Sequence, residues 1–277
     1  MISLKDVSYR YGRSPLEATA LHNISFDIAG GEFLAIMGRN ASGKSTLARL
    51  LNGMYLPTAG RVEVDGLNTS DRSSRQRVRQ LVGLMLAGAD RQFVSNIVEE
   101  DLAFGPENLG LPANQIRQRI DAALKMVSME EFAKHPPYLL SGGQKARIAL
   151  AGMLTMSPRY LVLDEPFPYL DAGSTSQLID ILLQWREREQ GTLIVITHDL
   201  ESARRAEYIM VLEDGAIAYN GTPDELLAQG QDILRQWGIE PLETSLLAES
   251  INRNLPRSVL KDIQQSGQLV EMLCQLS

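Results

Sequence analysis

The chain has 277 residues, 34 acidic and 27 basic, with a net charge of −7 and 44% apolar side chains. That apolar content can build a substantial core, which excludes a disordered chain, and the length allows one large domain or two small ones. The longest uncharged apolar-rich run, Leu81 to Ala89, is far shorter than the ~18–20 residues of a membrane helix, and the acidic excess speaks against nucleic acid as a partner.

The MISLKDVSYR start has no apolar leader, and the single Cys274 rules out an internal disulfide framework, so a cytoplasmic protein is expected. Along the chain, short apolar strands alternate with amphipathic helices, the pattern of an α/β fold with a mostly parallel sheet. Tyr9 and Tyr11 precede Gly12, and on strand alternation both can face the same side. Phe33 to Gly38 (FLAIMG) predicts a buried strand, and Lys44 to Asn52 a helix stopped by Gly53. Arg61 to Asp65 alternates as a strand should, and Leu81 to Leu86 is the next strand candidate. Arg72, Arg75, Arg77 and Arg79 read most simply as a solvated helix face.

From about Asp90 to Thr155 the strand signal gives way to helical periodicity, as in Ile116, Ile120, Leu124 and Val127, which predicts an inserted helical subdomain. Strands resume at Tyr160–Asp164, Thr192–Thr197, Tyr208–Leu212 and Ala216–Tyr219. Thr222-Pro223-Asp224-Glu225 supplies an N-cap, a proline at the first helical position and a glutamate at the third. From about Ile239, Pro241 and Pro256 punctuate three short amphipathic pieces: Leu242 to Ile251, Leu260 with Ile263, and Leu269 to Leu273. Such pieces bury little alone, so they either pack on their own domain or form a subunit contact. His22 and His135 belong to no motif and read as structural.

Gly38-Arg39-Asn40-Ala41-Ser42-Gly43-Lys44-Ser45-Thr46 matches GxxxxGK[ST] between a predicted strand and a predicted helix, the context of a phosphate loop. Glycines let backbone N–H groups close around phosphate oxygens at a helix N-terminus. Lys44 supplies a cation to the β/γ oxygens, and Ser45 is suited to ligate Mg²⁺. Asp164 and Glu165 end the apolar run Tyr160–Leu163, the first suited to hold Mg²⁺ and the second to accept a proton from water. Between them stands Leu140-Ser141-Gly142-Gly143-Gln144, where Ser141 is a natural N-cap and the glycines leave backbone bare.

Phosphate loop, LSGGQ string and acidic strand end, in that order over roughly residues 1–235, resemble the ATP-binding-cassette (ABC) family. The resemblance implies an α/β ABC-type P-loop NTPase core with a small antiparallel β-subdomain. It also implies an inserted helical subdomain, about 88–157, within a nucleotide-binding domain 1–238. A helical extension over 239–277 would follow. It implies ATP and Mg²⁺ as cofactors and two cassettes closing head to tail, so that Ser141, Gly142, Gly143 and Gln144 serve the partner's nucleotide. By the same resemblance Tyr11 stacks on adenine, His198 contacts the γ-phosphate and orients the water, and Asp171 sits in the loop joining the two sites. Asn40, Ser42, Gly43 and Thr46 complete the phosphate loop. One position departs from the family: a glutamine that ligates Mg²⁺ usually ends the strand entering the helical subdomain, and here Ala87 follows Val82–Leu86. That departure implies a slower site or an asymmetric transporter.

The segment Gln92 to Gly110, with its acidic VEEDLAFG core, and the tail after Pro241 resemble the ATPases of energy-coupling factor (ECF) importers. That resemblance implies a peripheral protein on the cytoplasmic face of the cell membrane, powering import of a vitamin or transition-metal ion. Its partners would be a second ABC ATPase, identical or different, a transmembrane coupling protein and a membrane substrate-binding protein; nucleic acid is not among them. Asp90, Glu99, Glu100 and Asp101 are then candidates for docking an arginine-bearing coupling helix, against the simpler reading of a solvated acidic face. The alternatives are the ATPase of a generic ABC importer, a soluble ABC ATPase of DNA repair or translation, and a non-enzymatic regulatory cassette.

Overall fold

The computed structural model describes residues 1–12, 18–88, 93–166 and 170–242. Asp90, Gln92, residues 167–169 and the expected pieces at Leu246 to Ile251, Leu260 to Ile263 and Leu269 to Leu273, with Pro256 and Cys274, lie outside the described residues.

The first elements are β1 (Ile2–Arg10), β2 (Thr19–Ile28), β3 (Phe33–Met37), α1 (Lys44–Leu51), β4 (Ala59–Val64), β5 (Leu67–Asn68), α2 (Arg72–Leu81) and β6 (Val82–Met85). Three helices follow: α3 (Val98–Asn108), α4 (Ala113–Met126) and α5 (Gly142–Leu154). The chain then continues through β7 (Tyr160–Asp164), α6 (Ala172–Glu189), β8 (Thr192–Ile196), α7 (Leu200–Ala203), β9 (Tyr208–Glu213), β10 (Ala216–Gly221), α8 (Pro223–Leu227) and α9 (Gln231–Gln236).

Two sheets result. β2-β1-β4-β5 is antiparallel throughout, and the other runs β10-β9-β3-β8-β7-β6. In the second sheet β9, β3, β8, β7 and β6 are parallel, and β10 closes one edge antiparallel to β9. All five residues of β3, β7 and β8 are buried, which is why these strands read as continuous apolar runs rather than alternating ones.

Alternation survives in which layer each residue serves. Leu34, Ile36, Tyr160, Val162, Ile194 and Ile196 join the core between the sheets, with Ile2, Leu4, Leu47 and Leu50. Phe33, Ala35, Met37, Leu161 and Leu163 face the other way, onto Leu178, Leu182 and Trp185 of α6. At about 1.5–3 kcal/mol for each fully buried large side chain, these two layers fix the register of every central strand.

Several boundaries differ from the sequence reading. α1 stops at Leu51, with Asn52 as its cap donating from Nδ2 to the Val82 carbonyl at 2.5 Å. Leu81 is the last residue of α2 and not the first of β6, because the helix runs straight into the strand. The β4 strand spans Ala59–Val64, and Asp65 turns out of it at φ +49. Thr222 and Glu225 form the expected capping box at α8. Ile239 and Leu242 are buried in the larger core cluster.

Candidate functional site

The carboxyl ends of parallel strands are where an open α/β sheet binds ligands. At the end of β3 the chain must turn sharply. Gly38 takes φ +132 and a Cβ there would lie 2.1 Å from the Leu212 carbonyl oxygen. Gly43 takes φ +103 as the N-cap of α1, and a Cβ would lie 2.5 Å from the Ala20 carbonyl oxygen. Both positions therefore exclude any other residue. Lys44, buried, folds back so that Nζ donates to the carbonyls of Gly38 and Arg39, both at 2.7 Å. Burial lowers its pKa, against the opposing pull of Glu165 and Asp164.

Asp164 ends β7 and is 4% exposed. The Ser45 hydroxyl donates to its Oδ1 at 3.0 Å, and the Arg49 guanidinium lies 3.8 Å from its Oδ2. Burial raises the Asp164 pKa, opposed by the Ser45 hydrogen bond and by Arg49. Glu165, next along, adopts φ +47 and donates its backbone N–H to the Ile196 carbonyl at 3.0 Å. This kink separates the two carboxylates. His198, just beyond β8, brings its Nε2 to 2.6 Å from Glu165 Oε1. Lys44, Ser45, Asp164, Glu165 and His198 thus gather at the ends of three adjacent strands, β3, β8 and β7.

The residues present fit a magnesium nucleotide. The buried Ser42 hydroxyl has no hydrogen-bond partner, so the phosphate loop holds an unused donor. A buried carboxylate beside a serine hydroxyl gives two oxygen donors, which suits a cation that takes one or two protein ligands and completes its shell with phosphate and water. Asn40 and Gly43 frame the same loop, exposed and buried respectively.

Tyr11 is 43% exposed, and its hydroxyl is 2.7 Å from Thr46 Oγ1. Its ring meets Tyr9 edge-on at 5.1 Å, so the two tyrosines do share a side. Tyr55 stacks on Tyr9 at 5.1 Å, and the Arg49 guanidinium lies over the Tyr55 ring, 5.8 Å from its centroid. Arg49 and Tyr55 were not singled out in the sequence. The available signal was spacing: Arg49 is four residues after Ser45 and so shares its helix face.

Ser141 caps α5 in a capping box: its Oγ accepts from the Gln144 N–H at 3.3 Å, and Gln144 Oε1 accepts from the Ser141 N–H at 2.9 Å. Among the described residues no hydrogen bond or ion pair joins this segment to the phosphate loop. A Cβ on Gly142 or Gly143 would meet only Leu170, at 4.0 and 3.7 Å. Nothing among the described residues requires glycine there. Asp171 caps α6, accepting from the Ser174 N–H at 2.9 Å and its hydroxyl at 2.7 Å, and these bonds lower its pKa.

The acidic segment also makes contacts within the chain. Glu99 binds Arg117 at 2.9 Å and Lys134 at 2.5 Å. Glu100 accepts from the Ser95 hydroxyl at 2.8 Å, and Asp101 from the N–H groups of Val94 and Ser95 at 2.5 and 3.1 Å. These carboxylates fasten α3 to its own surroundings. Ala87, exposed, follows β6; continuing the pairing of Met85 with Leu163 by two residues sets it level with Glu165.

A parallel sheet that aims a phosphate loop at an acidic strand end, with a helical unit opened by LSGGQ, defines an ATP-hydrolysing cassette. The sequence profile of the ABC transporter family matches residues 21–168. The chain is 48% identical over 276 residues, 99% of each chain, to an energy-coupling factor transporter ATP-binding protein of Syntrophomonas wolfei. It is 41% identical to one from Clostridium novyi, covering 100% of this chain and 98% of the other. The structure resembles a cassette from Clostridium perfringens, described as part of an ABC transporter complex, with TM-score 0.76 and 31% identity over 92% of this chain and 95% of that one. A dimeric ATP-binding cassette bound to ADP and Pi matches with TM-score 0.73 and 30% identity over 80% of this chain and 99% of that one. The chain belongs to the ABC transporter ATPases, in the group of the energy-coupling factor transporter ATP-binding proteins, and couples ATP hydrolysis to transport. No helix among the described residues is long and apolar enough to cross a membrane.

Proposed function

We propose that this cassette powers uptake of a micronutrient, a vitamin or transition-metal ion, through a membrane complex. The complex would comprise a second ABC ATPase, a transmembrane coupling protein and a membrane substrate-binding protein, with this chain on the cytoplasmic face. The naming of its full-length relatives as energy-coupling factor proteins supports the reading. Residues 1–238 act as the nucleotide-binding domain, 88–157 as its helical subdomain, and 239–277 as a contact between ATPases.

Lys44 and the N–H groups after Gly38 bind and orient the phosphates, Ser42 and Thr46 add hydroxyl donors, and Tyr11 offers a ring to the base. Ser45 and Asp164 hold Mg²⁺, which when bound offsets charge on the β/γ oxygens. Glu165 takes the proton of the attacking water, and His198 keeps that carboxylate and the water aligned. Ser141, Gly142, Gly143 and Gln144 reach the nucleotide of the partner cassette, and Asp171 lies between the two sites. The observation that carries this reading is the 2.6 Å His198–Glu165 contact beside the Lys44–Ser45–Asp164 group. Ala87 favours a slow site on this chain, with the fuller one on a different partner.

In purified complex, Glu165→Gln should lower ATPase activity and uptake at this site by ~10²–10⁴-fold while nucleotide still binds. Undiminished turnover in that variant would remove Glu165 as the base.

A further inference from the structure

A cavity of about 320 Å³ opens at the far end of β6 and β7 from the nucleotide site. Leu81, just ahead of β6, and Ser157, shortly ahead of β7, help line it, whereas Asp164 and Glu165 lie at the other ends of these strands. A strand of five residues separates the two places by roughly 16 Å. Four apolar side chains, Leu81, Leu109, Leu111 and Met156, share the lining with two guanidinium groups, Arg77 and Arg119. They come from α2 on one side and from the ends of α3 and α5 and the face of α4 on the other.

Among the described residues the charge here is uncompensated. Arg77 donates to the Gln80 amide oxygen at 3.2 Å, and Arg119 to the Thr155 carbonyl at 3.0 Å. On the same helix, Arg75 and Arg79 likewise reach only the carbonyls of Ser70 and Gly53. All these acceptors are neutral, so α2 and Arg119 make a cationic patch on a chain of net charge −7. Each guanidinium keeps further N–H groups for a planar anion, which it binds in fork geometry. At about 30 Å³ per water-sized group, the cavity takes about ten such groups. An apolar lining with a few fixed charges is the make-up of a small-molecule site.

We propose that this cavity binds a small amphipathic anion, with a carboxylate or phosphate head on Arg77 and Arg119 and a short apolar tail on Leu81, Leu109, Leu111 and Met156. Bound there, the anion clips α2 of the sheet layer to α3, α4 and α5. The site is independent of nucleotide chemistry and stands whether or not the assignment of Glu165 holds.

The test is methyl NMR of the full chain, following the Met156 resonance, assigned through Met156→Leu, during titration with hexanoate. Hexanoate should shift that methyl saturably, and both Arg77→Gln and Arg119→Gln should weaken binding about ten-fold. Arg77→Gln leaves the Thr155 contact of α4 intact, so its effect is free of any loosening of that helix. Hexanol carries the tail without the charge, and acetate the charge without the tail; each should bind far more weakly. Equal binding of hexanol, equal binding of acetate, retained affinity in Arg77→Gln, or no response at millimolar hexanoate each overturns the proposal.

Discussion

Single residues in this site trade stability for readiness. Asp164 is a buried carboxylate whose pKa burial raises, so its ionised form costs the fold stability at neutral pH. The sign follows directly: neutralising such a group relieves the fold. Asp164→Asn keeps the shape and removes the charge. Its melting temperature should rise, by about 2–4 °C for a gain near 1 kcal/mol in a chain of this size, while magnesium-dependent ATPase activity collapses. A lower melting temperature would mean that the Ser45 and Arg49 contacts outweigh the burial cost. Ala87 is the opposite kind of residue, one with a missing function. Two residues beyond β6 and exposed, it leaves a longer side chain open to solvent rather than to the core. Ala87→Gln should raise ATP turnover several-fold without changing the melting temperature; unchanged turnover in steady-state assays would acquit the alanine.

At the scale of elements, the acidic start of α3 is a fastening. Glu99 draws on Arg117 of α4 and on Lys134, and the Lys134 and Arg117 hydrogen bonds hold its carboxyl below its ordinary 4.5. A depressed folded pKa adds stability that is full above that ordinary value and fades as pH falls through the folded one. Glu99→Gln should therefore cost about 1 kcal/mol at pH 7 and progressively less as pH falls below 4.5, in urea titrations across pH. A pH-independent difference would show that shape, not charge, matters there. The sequence made β3, β7 and β8 legible because buried parallel strands are continuous apolar runs. It did not delimit β1 and β2, whose register shifts near Val7 and Tyr9, with Asp6 at φ +51, break the alternation by which a half-buried strand is recognised. The phosphate loop and the acidic pair were legible because their spacing is local. Arg49 and Tyr55 were not, since their partners are distant in sequence: Arg49 reaches Asp164 at the end of β7, and Tyr55 stacks on Tyr9 of β1.

For the whole molecule, the decisive fact is a segment that the described residues of its own chain do not use. Among the described residues, Gly142 and Gly143 meet no close neighbour and the Ser141–Gln144 cap makes no bond to the phosphate loop. Bare backbone at a helix start suits an incoming phosphate, and a second cassette brings one. A head-to-tail pair then splits each site between two chains, which mixing can reveal. Lys44→Ala should lose nucleotide binding by its own chain, and Ser141→Arg should keep it, yet each alone should be nearly inactive. Mixed as subunits of one dimer, the two variants combine one site bearing both defects with one site bearing neither. If the chain pairs with itself, random pairing makes half the dimers mixed, and one site in two of these is whole, so about a quarter of wild-type activity should return. If it pairs with a different ATPase, the same logic places Lys44→Ala in this chain and the signature-serine change in the partner. Both defects then fall on this chain's slow site and leave the fuller one intact, so the pair of changes should keep as much activity as either change alone. In ATPase assays, a self-paired mixture no more active than its parents, or a two-ATPase complex whose paired changes leave less activity than either change alone, would confine the LSGGQ segment to a role within its own chain.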